Sequence, residues 1–167
     1  AGRVGDRGLA RIQAAFARAV PDRVFFAFDR AEPLPEAEAA LGAQAEWLRL
    51  NPMALVRIEG HTDSVGAEAY NRRLGQRRAE RVAERLAGLG VDPARLRPIE
   101  SLGESRPAVP VEGREPRNRR AVLRIAGWGP PTEEFGFDGR RAVLAYTRYQ
   151  QDAVEEVEVD APGDSEE

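Results

Sequence analysis

Residues 55–88, LVRIEGHTDSVGAEAYNRRLGQRRAERVAERLAG, read as a strand, a short loop and a long helix in direct succession. Over residues 55–60 Val56 and Ile58 alternate with polar residues, the period of a strand with one face in a core. The loop 60–66 opens and closes on glycine. Beyond it the apolar period changes: Leu74, Ala79, Val82 and Leu86 recur at helical spacing, and Gly88 and Gly90 stop the helix. The strand thus delivers the loop GHTDSVG at its carboxyl end, against the start of a helix of about residues 67–88. Loops in that position are frequent ligand sites.

The same two periods organise the flanks. Residues 23–29, RVFFAFD, are rich in aromatic and β-branched types and predict a buried strand. Pro33 and Pro35 punctuate the chain, and Ala37, Leu41, Ala45 and Leu48 share one face of a helix over 36–50 that Asn51-Pro52 closes. Before this, Leu9, Ile12, Phe16 and Val20 mark an amphipathic helix over 6–20, ended by Pro21. Downstream, 97–102 predicts a third strand and 119–125 a last one. Between them GESRPAVPVEGREPRN, residues 103–118, is a long loop. The fold class that follows is α+β: a two-layer α/β sandwich in β-α-β-α-β-β order, a mixed sheet with helices on one face. The domain is placed at 23–126. Residues 1–22 form an N-terminal helix and linker. The break at 127–131, GWGPP, begins a C-terminal extension over 127–167, with a further helix over 140–157 and an acidic, disordered end.

Composition narrows the chemistry. The 167 residues hold no cysteine and one histidine, His61, which removes disulfides, thiolate chemistry and histidine-based metal sites; no metal and no cofactor are expected. All 25 basic residues are arginine. Eight acids and no arginine occupy 152–167, so the remaining 151 residues are mildly basic, at +5, under an overall charge of −3. No stretch approaches the ~18–20 apolar residues of a membrane span, and the first 22 residues lack a signal-peptide pattern. If the protein is anchored, the anchor is expected outside this chain.

Asp63 lies in the loop and Arg78 on the helix. At 100° per residue from Tyr70, Arg78 falls at about 80°, within the apolar arc of about 40–180°, and Arg85 falls at about 60°. An arginine on a core-facing arc must find an anion or pay for desolvation. Two readings remain open from spacing alone. Asp63 caps the helix or pairs with Arg78; or the two converge on a zwitterion, carboxylate to ammonium and guanidinium to carboxylate.

The motifs GHTD at 60–63, Gly66, Tyr70-Asn71, LGQRRA at 74–79 and NRRAV at 118–122 together resemble the OmpA-like peptidoglycan-binding domain, over about residues 23–126. The resemblance implies non-catalytic binding of peptidoglycan through the diaminopimelate of its stem peptide. The setting would be the periplasm, in association with the cell wall or outer membrane and with other envelope proteins. Asp63 would hold the ammonium of diaminopimelate and Arg78 its carboxylate. Asp29, at the end of FAFD, would line the pocket with its backbone. Thr62, Asn71 and Leu74 would shape it, and Arg120 would lie near it. His61 is read as a hydrogen-bonding scaffold of the turn.

Two other functions compete. Residues 67–90 hold six arginines against three glutamates, which suits a phosphate backbone. Glu80 and Glu84 interrupt that face, however, and Asp63 would repel phosphate. An enzyme using His61 and Asp63 lacks an evident nucleophile, and Ser64, Ser101 and Ser105 have no second histidine to serve them.

Overall fold

A computed structural model describes residues 4–130; the expected helix over 140–157 and the acidic end lie outside the described residues. The elements are α1 (Asp6–Ala19), β1 (Arg23–Phe25), α2 (Ala37–Leu50), β2 (Ala54–His61), α3 (Glu68–Gly88), β3 (Leu96–Gly103) and β4 (Arg120–Trp128). The sheet runs in the order β1-β4-β2-β3. β2 and β3 are parallel, and α3 is the crossover that such a pair requires. β4 is antiparallel to both its neighbours. The sheet is therefore mixed, and the α+β class is the one observed.

One core lies between sheet and helices. Val56 and Ile58 of β2 and Ala121, Leu123 and Ile125 of β4 meet Leu41, Ala45 and Leu48 of α2 and Ala79, Val82 and Leu86 of α3. The residues between them in β2 and β4, such as Arg57, Glu59, Arg120 and Arg124, fall on the opposite face by the alternation of a strand. The helix expected as a linker before residue 23 joins this core. Phe16 of α1 is fully buried and stands edge-on to Trp47 of α2, ring centroids 4.9 Å apart. Where β1 no longer covers the edge of β4, the Ile125 amide donates to Gln13 Oε1 at 2.6 Å, so α1 satisfies an edge group that would otherwise be left open.

Two features of the backbone position the site. First, α3 sits directly on β2 at a glycine contact: a Cβ on Gly60 would lie 1.7 Å from the Gly75 carbonyl oxygen. Only glycine at 60 lets helix and strand approach this far. Second, the stretch 23–29 is a strand only over Arg23–Phe25. The Phe26 amide still donates to Arg119 O at 3.0 Å and Phe26 bridges to Pro33, but the chain then turns back. The carbonyls of Ala27 and Arg30, free of any ladder, turn instead to the guanidinium of Arg78.

Candidate functional site

β2 ends at His61, and its contact with β3 continues one step further where the Thr62 amide donates to Gly103 O at 2.9 Å. Thr62 is buried, and its hydroxyl has no partner. The first turn of α3 then locks the loop. The buried Asn71 amide nitrogen donates to Asp63 O at 3.3 Å, Val65 O at 3.0 Å and Glu104 Oε2 at 3.2 Å. Leu74, one turn on, is buried. The long loop after β3 folds over the same turn: the Gly113 amide donates to Ser64 Oγ at 2.8 Å, and the Asn118 side chain exchanges two bonds with Val109. Between these loops is a cavity of about 210 Å³, walled by Thr62, Ser64, Glu104, Pro107 and Val111 among others.

Asp63 is 4% exposed. Its carboxylate has three contacts, all long: Oδ2 with Arg119 Nη1 at 3.3 Å and with the Glu115 amide at 3.4 Å, and Oδ1 with the Val65 amide at 3.5 Å. Charge-assisted hydrogen bonds ordinarily run at about 2.7–2.9 Å.

Arg78 is 0% exposed. Its Nε donates to Arg30 O at 2.8 Å, Nη1 to His61 O at 2.9 Å and Nη2 to Ala27 O at 3.2 Å. The Phe26 ring centroid lies 5.2 Å from its Cζ. Burial pulls its pKa down to about 10 against the opposing field of Asp63, so it stays charged at neutral pH. Asp63 and Arg78 therefore share a neighbourhood without forming an ion pair. The capping alternative is also not what forms, since the residue before α3 is Ala67, with no side-chain cap. The guanidinium that pairs with Asp63 is Arg119, whose Nε also donates to Phe26 O at 3.0 Å.

Asp29 sits at φ 57°, left-handed for a non-glycine residue, and its Oδ1 accepts from the Tyr70 hydroxyl. Asp29 and Tyr70 thus stand within electrostatic reach of the buried Arg78. Across the same loop Arg114 stacks on Phe28, 3.8 Å from the ring centroid.

Arg120 lies elsewhere. Its Nη2 donates to Arg106 O at 3.1 Å, while Nε and Nη1 have no partner. Burial pulls its pKa to about 10, and its charged neighbours are Arg23, Arg124, Glu59 and Asp22. The alternation of β4 explains this. Ala121, Leu123 and Ile125 enter the core, so Arg120 falls on the far face and Arg119 on the near one. That parity was available in the sequence and marks Arg119 as the residue that spacing overlooked.

His61 is buried on the same far face, its Nε2 3.8 Å from Glu59 Oε2, beyond hydrogen-bond length. Burial lowers the His61 pKa more than Glu59 raises it, and Arg120 lowers it further. Burial would raise the Glu59 carboxyl, but His61 and Arg124 overrule it and hold it at about 2. Neither ring nitrogen of His61 has a hydrogen-bond partner among the described residues, so the imidazole is not the hydrogen-bonding scaffold expected; what His61 gives the site is its carbonyl, which accepts from Arg78.

Three of the six arginines that suggested a phosphate-binding helix already meet carboxylates. Arg72 pairs with Glu68, Arg81 with Glu84 and Glu32, and Arg85 with Glu32 and Glu38. Among the described residues no group of three or more acidic or histidine side chains is placed to hold a metal ion. No helix among them is long and apolar enough to cross a membrane.

The chain matches the OmpA family over residues 25–121. It is 45% identical over 102 residues to the peptidoglycan-associated lipoprotein of Haemophilus influenzae, covering 60% of this chain and 66% of that protein. It is 40% identical over 112 residues to the peptidoglycan-associated lipoprotein of Brucella melitensis, covering 66% of each. The chain thus spans just under two thirds of the length of these curated relatives. Among solved structures, the peptidoglycan-associated lipoprotein from Burkholderia pseudomallei superposes with a TM-score of 0.57 at 36% identity, over 62% of this chain and 88% of that one.

Proposed function

The chain belongs to the OmpA family, and on that premise we propose that it is a non-catalytic module that binds peptidoglycan through the diaminopimelate of the stem peptide. In that role it tethers an envelope protein to the cell wall from the periplasmic side. Relatives named for their association with peptidoglycan support the reading. The observation that carries it is Asp63. A carboxylate 4% exposed, whose hydrogen bonds among the described residues are three of 3.3–3.5 Å, is under-satisfied and suits an incoming ammonium.

Arg78 supplies the other pole. A guanidinium carries five N–H groups, and three are spent on carbonyls, which leaves one on each terminal nitrogen for a carboxylate. Asp63→Asn removes the charge and keeps the shape. The folded variant is expected to lose retention on purified sacculi. Retention at the wild-type level, with an unchanged melting curve, would overturn the assignment.

A further inference from the structure

We infer that Arg119 is a specificity residue that makes the site select a ligand carrying a second carboxylate beside its zwitterion. The inference rests on the peptidoglycan reading above and concerns which form of the stem peptide is preferred. Three charges define the site: Asp63 and Arg78, both buried, and Arg119, half-buried with its side chain 13% exposed. Two are guanidiniums and one is a carboxylate. A zwitterion places its ammonium on Asp63 and its carboxylate on Arg78 and brings no net charge. Arg119 must then share its carboxylate partner with a second cation.

Among the described residues Asp63 is the one carboxylate bonded to Arg119, although Glu115 also feels its charge. The remaining bond of Arg119 goes to the neutral Phe26 carbonyl. Glu115, whose amide touches Asp63, is held by Arg117 through both oxygens, at 2.8 and 3.2 Å. Asp29 is exposed, accepts from Tyr70 and acts on Arg78. A largely desolvated guanidinium short of an anion is costly, and a carboxylate offers it a two-pronged match. In a diaminopimelate residue that second carboxylate belongs to the centre within the peptide chain. It is free only where the residue ends the stem. The preferred ligand is therefore a stem ending in diaminopimelate, with one ammonium and two carboxylates on that residue.

Two synthetic stem peptides ending in diaminopimelate test this by calorimetric titration of the full chain. In one the in-chain carboxyl is free and in the other it is amidated; both keep the distal ammonium and carboxylate. The wild type is expected to bind the free form about tenfold or more tightly, and Arg119→Gln to reduce that preference to within about twofold. Should Arg119→Gln fail to fold, Arg119→Lys keeps the charge without the planar fork, and its preference should fall at least about threefold. Equal affinity of the wild type for both peptides overturns the inference and leaves the peptidoglycan reading standing. An undiminished preference in the folded Arg119 variant also overturns it. If neither peptide binds the wild type, the reading of the site falls and this inference falls with it.

Discussion

Arg78→Met removes a guanidinium from the core and takes one donor from each of the carbonyls of Ala27, Arg30 and His61, leaving Ala27 O with the Arg30 amide at 3.2 Å. Hydrogen bonds to a charged group contribute about 1.5–3 kcal/mol each, so three amount to about 4.5–9 kcal/mol gross. Against this stands the cost of burying the charge. The fall of the Arg78 pKa to about 10, well below the ordinary arginine value, puts the net penalty on its charge at about 3 kcal/mol. The net expected loss is about 1.5–6 kcal/mol, set against the roughly 5–15 kcal/mol that a domain commands. Urea unfolding followed by far-UV circular dichroism measures it. A midpoint that places Arg78→Met within about 1 kcal/mol of the wild type would refute the clamp role and leave Arg78 as a ligand group only. A loss of binding in an Arg78 variant is therefore ambiguous unless stability is measured alongside. Asp63→Asn, at a carboxylate with weak contacts, is the cleaner probe of recognition.

Gly60→Ala drives a Cβ to 1.7 Å from the Gly75 carbonyl, a backbone atom that cannot swing aside, so α3 must lift from β2. The variant should lose at least about 3 kcal/mol of stability and its binding together, read by thermal melt and sacculus pull-down. Phe16→Ala should cost about 3–5 kcal/mol, because its fully buried ring packs on Trp47; a loss under about 1 kcal/mol would show α1 to be dispensable. Acid should destabilise the fold in two stages. His61 has a folded pKa below its ordinary 6.5, so the unfolded chain binds its proton first and stability falls as pH drops below about 6.5. Glu59, held at about 2, adds stability that is present above its ordinary 4.5 and is lost between there and 2. Urea midpoints of wild type and His61→Gln from pH 7.5 to 5 check the upper stage, which the substitution should flatten.

The sequence carried the central strand, loop and helix because their periods are unambiguous and glycines mark the turns. The loop's place at the carboxyl end of β2 was legible for the same reason. The end of β1 was not. Phe26, Ala27 and Phe28 have the composition of a continuing strand, but the chain turns at Asp29, in the left-handed region, and Arg78 takes up carbonyls 51 and 48 positions away in sequence. The helical wheel could not separate Arg78 from Arg85 either. Both lie on the apolar arc, yet Arg78 is sealed beneath the end of β2, while Arg85, two turns on, is partly exposed and reaches Glu32 and Glu38. Position along the axis decides between them, and a wheel discards it. Arg95 makes the same point: it donates to Leu48 O, Asn51 O and Ala54 O, a second arginine used as a backbone clamp, with no sequence pattern to announce it.

On the proposed reading, the structural role of Arg78 and its role toward the ligand reinforce each other. The sequence set them as alternatives, since an arginine spent on an internal partner seemed unavailable to a ligand. The partners turn out to be carbonyls from the β1–α2 connection and from the end of β2. Carbonyls fix the plane of the guanidinium without cancelling its charge, as a carboxylate would. Asp63 is kept from cancelling it because Arg119 and the Glu115 and Val65 amides hold its carboxylate. A positive and a negative pole thus persist side by side in a buried place, each held in orientation and neither quenched by the other. A zwitterion meets such a pair without the cost of reorganising it, which is the gain that preorganisation gives to binding.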